Sequence, residues 1–214
     1  MAFDNRAQAA RLLAARLDKY RSRHPVVLAI PRGAVPMGRI LADALDGDLD
    51  VVLVRKLRAP HNPELAIGSI DELGATYVYP DTRDLWTDRY LETEKAEQMK
   101  MLAWRRNLYG QTRPPIEVTG RVAIVLDDGI ATGSTMIAAL RAVRARQPAR
   151  LIAATAVAPG DTLLRIRREA DEIVCLETPE FMFAIGNHFR DFSQVSDEEV
   201  VAALSKPRAA AAGR

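Results

Sequence analysis

Arg121-Val-Ala-Ile-Val-Leu-Asp-Asp-Gly-Ile-Ala-Thr-Gly-Ser-Thr-Met136 is the stretch whose reading decides the fold. Val122 begins an unbroken aliphatic run to Leu126, the pattern of a strand covered on both faces in a parallel sheet. Two adjacent carboxylates, Asp127 and Asp128, follow at its carboxyl end. A short loop with Gly129 and Gly133 then carries hydroxyls at Thr132, Ser134 and Thr135, and a helical apolar spacing runs through Met136, Ile137, Leu140 and Val143. Strand, small-residue loop and helix together aim backbone N–H groups and a helix dipole at an anion, and the hydroxyls add donors. The carboxylates repel phosphate, so they need another ligand: vicinal sugar hydroxyls, a divalent cation, or both. A phosphate cradle beside a diol-binding acidic pair describes a ribose 5-phosphate pocket. No Gly-Lys-Ser/Thr follows the loop and no Gly-x-Gly-x-x-Gly spacing is present, which excludes a P-loop and a dinucleotide turn.

Outward from this stretch, strand and helix patterns alternate. Residues 5–20 show a helical stripe at Ala9, Leu12, Leu13 and Leu17. Residues 25–30 read as a buried strand, followed by Pro31-Arg32-Gly33-Ala34 and a helix with apolar positions Val35, Met37, Ile40, Leu41, Ala44 and Leu45, closed by Gly47. Residues 49–54 read as another strand, ending in the cations Arg55, Lys56 and Arg58. Residues 65–70 and 75–79 alternate as a hairpin around Asp71-Glu72-Leu73-Gly74. Residues 87–109 form a long charged helix with a thin seam at Leu91, Met99, Leu102, Trp104 and Leu108, ended by Gly110 and Pro114-Pro115. Such a helix covers a sheet or contacts a second copy in a homodimer, and the sequence leaves both open. Strands are expected at 150–157 and 172–176, with a short helix at 162–170 between them. This alternation predicts an α/β fold with a doubly wound parallel sheet and ligands at the strand carboxyl ends. A single domain is expected over residues 1–205. Ser196 to Glu199 reads as a capping box opening a last helix, and residues 206–214 are expected to be a disordered tail.

The chain has 214 residues, with 30 Lys and Arg against 28 Asp and Glu, so its formal charge of +2 argues against nucleic-acid binding. The single Cys175 excludes an internal disulfide and, in its apolar run, reads as a buried thiol in a reducing compartment. The first residues lack the apolar core of a signal peptide and no stretch is long enough to span a bilayer, so the expectation is a cytoplasmic protein without membrane contact. His24, His61 and His188 are scattered and form no metal-ligand pattern.

Asp127-Asp128-Gly129-Ile130-Ala131-Thr132-Gly133-Ser134-Thr135 resembles the signature of the type I phosphoribosyltransferases, and the resemblance extends from Val26 to about Phe192. It implies a Rossmann-like sheet with a flexible-loop hairpin and a small hood lobe, here about 178–205. It also implies magnesium-bound 5-phosphoribosyl 1-diphosphate as donor and a nitrogen heterocycle as acceptor, with pyrophosphate released in a salvage-type reaction of nucleotide metabolism. Asp127 and Asp128 would hold the ribose diol and, through water, Mg2+. Gly129 and residues 131–135 would bind the 5-phosphate. Arg32, with the amides of Gly33 and Ala34, would cradle pyrophosphate, and Lys56 would approach it from the other side, with His61 and Glu64 as lesser candidates. Four of the five phenylalanines, Phe181, Phe183, Phe189 and Phe192, fall in the hood segment. Phe183 or Phe189 would stack on the base, and Asp191 resembles an acid near the pyrophosphate in purine members. In one respect the sequence departs from hypoxanthine- and guanine-type members: Ala131 stands where they carry an acid, which makes a 6-oxopurine a poor acceptor. The alternative is a non-catalytic regulatory protein that binds the same donor.

Overall fold

The computed structural model describes residues 3–110 and 115–206. Five parallel strands, β1 (Val26–Ala29), β2 (Asp48–Val51), β6 (Val122–Asp127), β7 (Arg150–Val157) and β8 (Glu172–Glu177), form the main sheet in the order β2-β1-β6-β7-β8. All four residues of β1 and the first five of β6 are buried, which accounts for their unbroken aliphatic runs. The strand order reverses between β1 and β6, and Ala29 lies opposite Leu126. Loops leaving these two strands therefore start side by side, at the switch point where open α/β sheets bind ligands.

Helices cover both faces. On one side α1 (Arg6–Leu17), α2 (Ala34–Ala44) and α6 (Asp197–Ser205) bury Leu13, Leu17, Met37 and Leu41 against Val27, Ala29, Ile124 and Leu126. On the other, α4 (Ser134–Ala145) packs Met136, Leu140 and Val143 against Val26, Leu28, Ala123 and Val125. Alternate strand residues thus point to opposite layers, and the sheet is doubly wound as the sequence pattern predicts. The capping box is present: Glu199 N donates to Ser196 Oγ at 3.2 Å and Ser196 N to Glu199 Oε2 at 2.7 Å. Leu12 departs from its expected place, standing 46% exposed on the outer side of α1 while Ala9, Ala10, Leu13 and Leu17 are buried.

The expected strand at 49–54 is two strands. β2 ends at Val51, and β3 (Val54–Ala59) begins a separate antiparallel sheet with β4 (Asn62–Asp71) and β5 (Thr76–Val78). The break falls within Val51 to Val54, an unbroken aliphatic run that contains no mark for the point where the chain leaves one sheet for another. Arg55, Lys56 and Arg58 therefore lie within β3 and do not trail a parallel strand. The β4–β5 hairpin forms around residues 71–74, where Asp71 Oδ1 accepts from Leu73 N at 2.9 Å and Ala75 N at 2.8 Å.

The long helix α3 (Asp88–Gly110) lies on β3, β4 and α6. Leu102 is buried there, whereas Trp104, expected in the seam, is 55% exposed. Helix α5 (Gly160–Ile166) ends four residues before its expected limit at Ala170. Pro114 of the expected helix stop, the side chain of Glu64, and the tail beyond Lys206 lie outside the described residues. Among the described residues no helix is long and apolar enough to cross a membrane.

Candidate active site at the sheet switch point

Asp127 and Asp128 sit where β6 opens into its loop. Asp127 is partly buried and its Oδ1 accepts from Asp128 N at 2.9 Å. Asp128 is 8% exposed, and its Oδ2 is held by Arg6 Nε at 2.8 Å. Burial pushes the Asp127 carboxyl well above the ordinary carboxylate range, and repulsion from Asp128 adds to the rise. Burial also raises Asp128, and the hydrogen bond and charge of Arg6 oppose that rise. Among the described residues Arg6 is the ion-pair partner of this acidic pair, and the sequence pattern did not single it out. The first turn of a surface helix carries no motif, so only proximity in the fold could have found it.

The loop after the acids is pinned from the α5 side. Ile130 N donates to Val157 O at 2.8 Å, Thr162 Oγ1 to Ala131 O at 2.9 Å, and Arg165 Nη2 to Thr132 O at 2.7 Å. Gly129 is buried beneath Ile185. Gly133 precedes α4 with φ +78°, and a Cβ there would lie 2.9 Å from Thr162 Cγ2, so both backbone conformation and space select glycine. No side chain caps the start of α4, which leaves its first N–H groups for a ligand. Ala131, Thr132 and Thr135 are exposed, Ser134 is partly so, and Thr132 Oγ1 lies 3.1 Å from Ser134 Oγ. Hydroxyls and open amides over a helix N-terminus make a site suited to a phosphate dianion.

The turn after β1 stands beside this loop. Ile30 N donates to Leu126 O at 2.9 Å, and the peptide between Pro31 and Arg32 is cis. Gly33 is conformationally ordinary, with φ −55°, but a Cβ on it would lie 2.0 Å from Asp128 Oδ2 and 3.2 Å from Arg6 Nη2. Glycine is required here by the acidic pair closing on the turn. Ala34 is buried at the start of α2. Arg32 Nη1 lies 3.7 Å from Asp197 Oδ2, and the other Asp197 oxygen accepts from Tyr109 Oη at 2.6 Å. Burial, reinforced by Asp197, pushes the Tyr109 hydroxyl up to about 12.

A cavity of about 310 Å³ opens next to these turns, bordered by Pro31, Thr135, Arg55, Lys56, Arg58 and Arg105. Its cations are unequally neutralised. Arg58 is bound by Glu94 at 2.8 and 3.1 Å and by Glu97 at 3.3 Å. Arg55 donates to the neutral Gln98, and burial together with the charges of Arg105 and Arg58 lowers its pKa. Among the described residues, Lys56 and Arg105 have no ion-pair partner. The cavity thus holds an excess of positive charge suited to a polyanion. Arg105 lies on the charged helix α3, where one arginine among many gave no sequence signal.

The hood candidates separate sharply. Phe183 is 94% exposed, with a free ring. Phe189 is 6% exposed, stacked on Phe192 at 4.9 Å and tilted against Phe3 at 5.3 Å. That burial corrects the reading of Phe189 as a base contact: its ring packs the lobe. Asp191 is exposed and accepts from Ser193 N at 3.0 Å, and His61 is exposed at the β3–β4 turn. Cys175 is partly buried, and burial pushes its thiol up.

No group of three or more His, Cys, Asp or Glu among the described residues could form a metal cage. Two adjacent carboxylates fit a magnesium ion that takes its other ligands from water and substrate oxygens.

A doubly wound sheet with an acidic pair, a hydroxyl-rich glycine loop and a cationic cavity at its switch point defines a class of α/β domains with a ligand site at the strand carboxyl ends. The sequence profile of the phosphoribosyl transferase domain matches residues 3–189, and the chain belongs to that family. It is 41% identical over 206 residues to "Putative phosphoribosyl transferase Rv0571c" of Mycobacterium tuberculosis, covering 95% of this chain and 46% of that protein. The same figures hold for "Putative phosphoribosyl transferase MT0597" from another strain of that organism. The chain therefore spans about half the length of these relatives. The crystal structure of TT1426 from Thermus thermophilus is 40% identical, with a TM-score of 0.87 over 95% of this chain and 98% of that one.

Proposed function

We propose that the protein transfers the phosphoribosyl group of 5-phosphoribosyl 1-diphosphate to a ring nitrogen of a heterocyclic base and releases pyrophosphate. The observation that carries this reading is the juxtaposition of three chemically distinct subsites: the Asp127–Asp128 pair, the hydroxyl-rich start of α4, and the cation-lined cavity that shares Thr135 with it. They suit, in order, the diol, the 5-phosphate and the leaving pyrophosphate.

In the reaction the bond from the anomeric carbon to the pyrophosphate oxygen breaks and a bond from that carbon to the base nitrogen forms. The chain's residues act by position and charge. Asp127 and Asp128 accept from the ribose hydroxyls and stabilise positive charge developing on the sugar. The amides and hydroxyls of residues 131–135 anchor the 5-phosphate. Arg32, Lys56 and, added by the fold, Arg55 and Arg105 offset charge on the departing group. Magnesium, bound through water to the acidic pair, would supply further neutralisation of the diphosphate. Phe183 is the aromatic free to stack on the base, and Ala131 leaves the loop without an acid to exchange a proton with a 6-oxopurine. A regulator that binds the same donor would use the same cationic cavity for its diphosphate, so turnover separates the two readings.

The test is calorimetry with ribose 5-phosphate and with the diphosphate donor and magnesium, followed by pyrophosphate release across a panel of bases. Binding of both ligands and turnover of at least one base, with guanine and hypoxanthine poor, are expected. Absence of binding by either ligand to folded protein would remove the reading. Binding without turnover of any base would leave the regulator.

A further inference from the structure

Arg6 joins the start of α1 to three parts of the chain that are distant in sequence. Its Nε binds Asp128 Oδ2 at 2.8 Å, its Nη1 donates to Ser193 O at 2.7 Å, its guanidinium lies 3.7 Å from the centre of the Phe192 ring, and Nη2 faces Gly33. The two ion-paired side chains are only 14% and 11% exposed. A guanidinium presents its donors in a rigid fork, so satisfying two acceptors and an aromatic face fixes the acidic partner as well as the arginine. Asp128 has little freedom left. Arg6 holds one of its oxygens, and Gly33 admits it only because that residue has no side chain. The carboxylate is therefore aimed before any ligand arrives. Asp127, by contrast, is oriented locally by Asp128 N.

We propose that Arg6 is a positioning residue for recognition of the sugar diol, acting by holding Asp128 against the Gly33 turn and the Phe192–Ser193 segment. This rests on the reading of Asp127 and Asp128 as the diol site. Arg6 touches the α1 end, the acidic motif and the hood at once, so it makes recognition of a hydroxyl depend on the hood being seated. A residue that only clips α1 to the sheet would support all ligands of the site equally. A residue that aims Asp128 supports only ligands that carry the hydroxyl Asp128 accepts from.

The experiment is calorimetry on the full chain with ribose 5-phosphate and 2-deoxyribose 5-phosphate, without metal, for the parent, Arg6→Met and Arg6→Lys. Methionine retains apolar contact with Phe192 and removes the charge and the fork. Lysine retains the charge alone. The parent is expected to prefer the ribose compound, and Arg6→Met to narrow that preference about tenfold, the scale of one hydrogen bond to a charged group. Arg6→Lys should fall between them, and it carries the test if the methionine variant does not fold. Equal weakening of both sugars, or an unchanged preference, would overturn the proposal while leaving the phosphoribosyl site intact. A parent that binds neither sugar phosphate would overturn the site reading itself, and this proposal with it.

Discussion

The two turns at the switch point do neighbouring jobs by different means. The β6–α4 turn carries its chemistry in consecutive residues: two acids, a left-handed glycine, and hydroxyls on the first turn of a helix. The β1–α2 turn contributes one arginine and a glycine, and every group that completes it comes from elsewhere. Asp197, itself held by Tyr109, pairs with Arg32, Asp128 presses on Gly33, and the cations across the cavity come from β3 and α3. A sugar phosphate has fixed internal spacing, which a contiguous loop can match. On the proposed reading, the leaving group instead meets cations dispersed over separate elements.

If the first turn is self-contained, damage to it should be local and severe. Replacing Asp127 and Asp128 together by asparagine should weaken donor binding by roughly 1.5–3 kcal/mol for each charge-assisted bond lost, measured by calorimetry. Asp127→Asn alone, which leaves the Arg6–Asp128 pair in place, should be at least as stable as the parent near neutral pH. Because the folded pKa of Asp127 is raised, the folded state binds more protons than the unfolded chain above the ordinary carboxylate range, and stability falls as pH rises through that interval. Asparagine removes the fall, so the variant's advantage in thermal unfolding should vanish in acid. An unfolded variant would make the pair structural.

Next in size is Gly133→Ala. Its φ of +78° and the approach of Thr162 predict a loss of stability of about 1–3 kcal/mol in denaturant titration. Gly33→Ala should act mainly on binding, because its Cβ would push the Asp128 carboxylate off the position in which Arg6 holds it, while its own backbone is unstrained. Similar stability losses at both glycines would erase the contrast between the turns.

The remote support of the second turn gives a smaller effect. Tyr109→Phe should reduce stability by about 1.5 kcal/mol at neutral pH, the low end for a hydrogen bond to a charged group, here the partly exposed Asp197 carboxylate. Tyr109 is raised from 10 to about 12, so this contribution is complete below 10 and is lost as pH rises through 12, which unfolding between those values would detect. Smallest of all, Phe183→Ala should leave stability unchanged and weaken base binding by about 0.5–1.5 kcal/mol beyond lost contact area, whereas Phe189→Ala should unfold the hood at a cost of about 3–5 kcal/mol. A stability loss at Phe183 would show that the exposed ring packs against something in solution.

Much of the body was legible because parallel strands buried on both faces must be continuously apolar, and the turns leaving them must be small and polar. Val122 to Leu126 announces both facts, and the hairpin at 71–74 follows from its turn residues. The run at 49–54 was not divisible, because burial in one sheet and passage to another demand the same aliphatic residues. The phenylalanines looked alike for a related reason: an aromatic residue satisfies a packed lobe and a stacking site equally, and only its neighbours distinguish Phe189 from Phe183.

The sequence by itself therefore determined the doubly wound sheet, the place of the acidic pair and the phosphate-type loop, since each depends on periodicity or on groups adjacent in the chain. Only the tertiary structure decided that Arg6 faces Asp128, that Arg105 joins Arg55 and Lys56 around the cavity, and that Arg32 is held by Asp197. Those pairings join residues tens of positions apart or more. Charge attracts through space, and an arginine on a helical face reads the same in the sequence whether it meets solvent or a buried carboxylate.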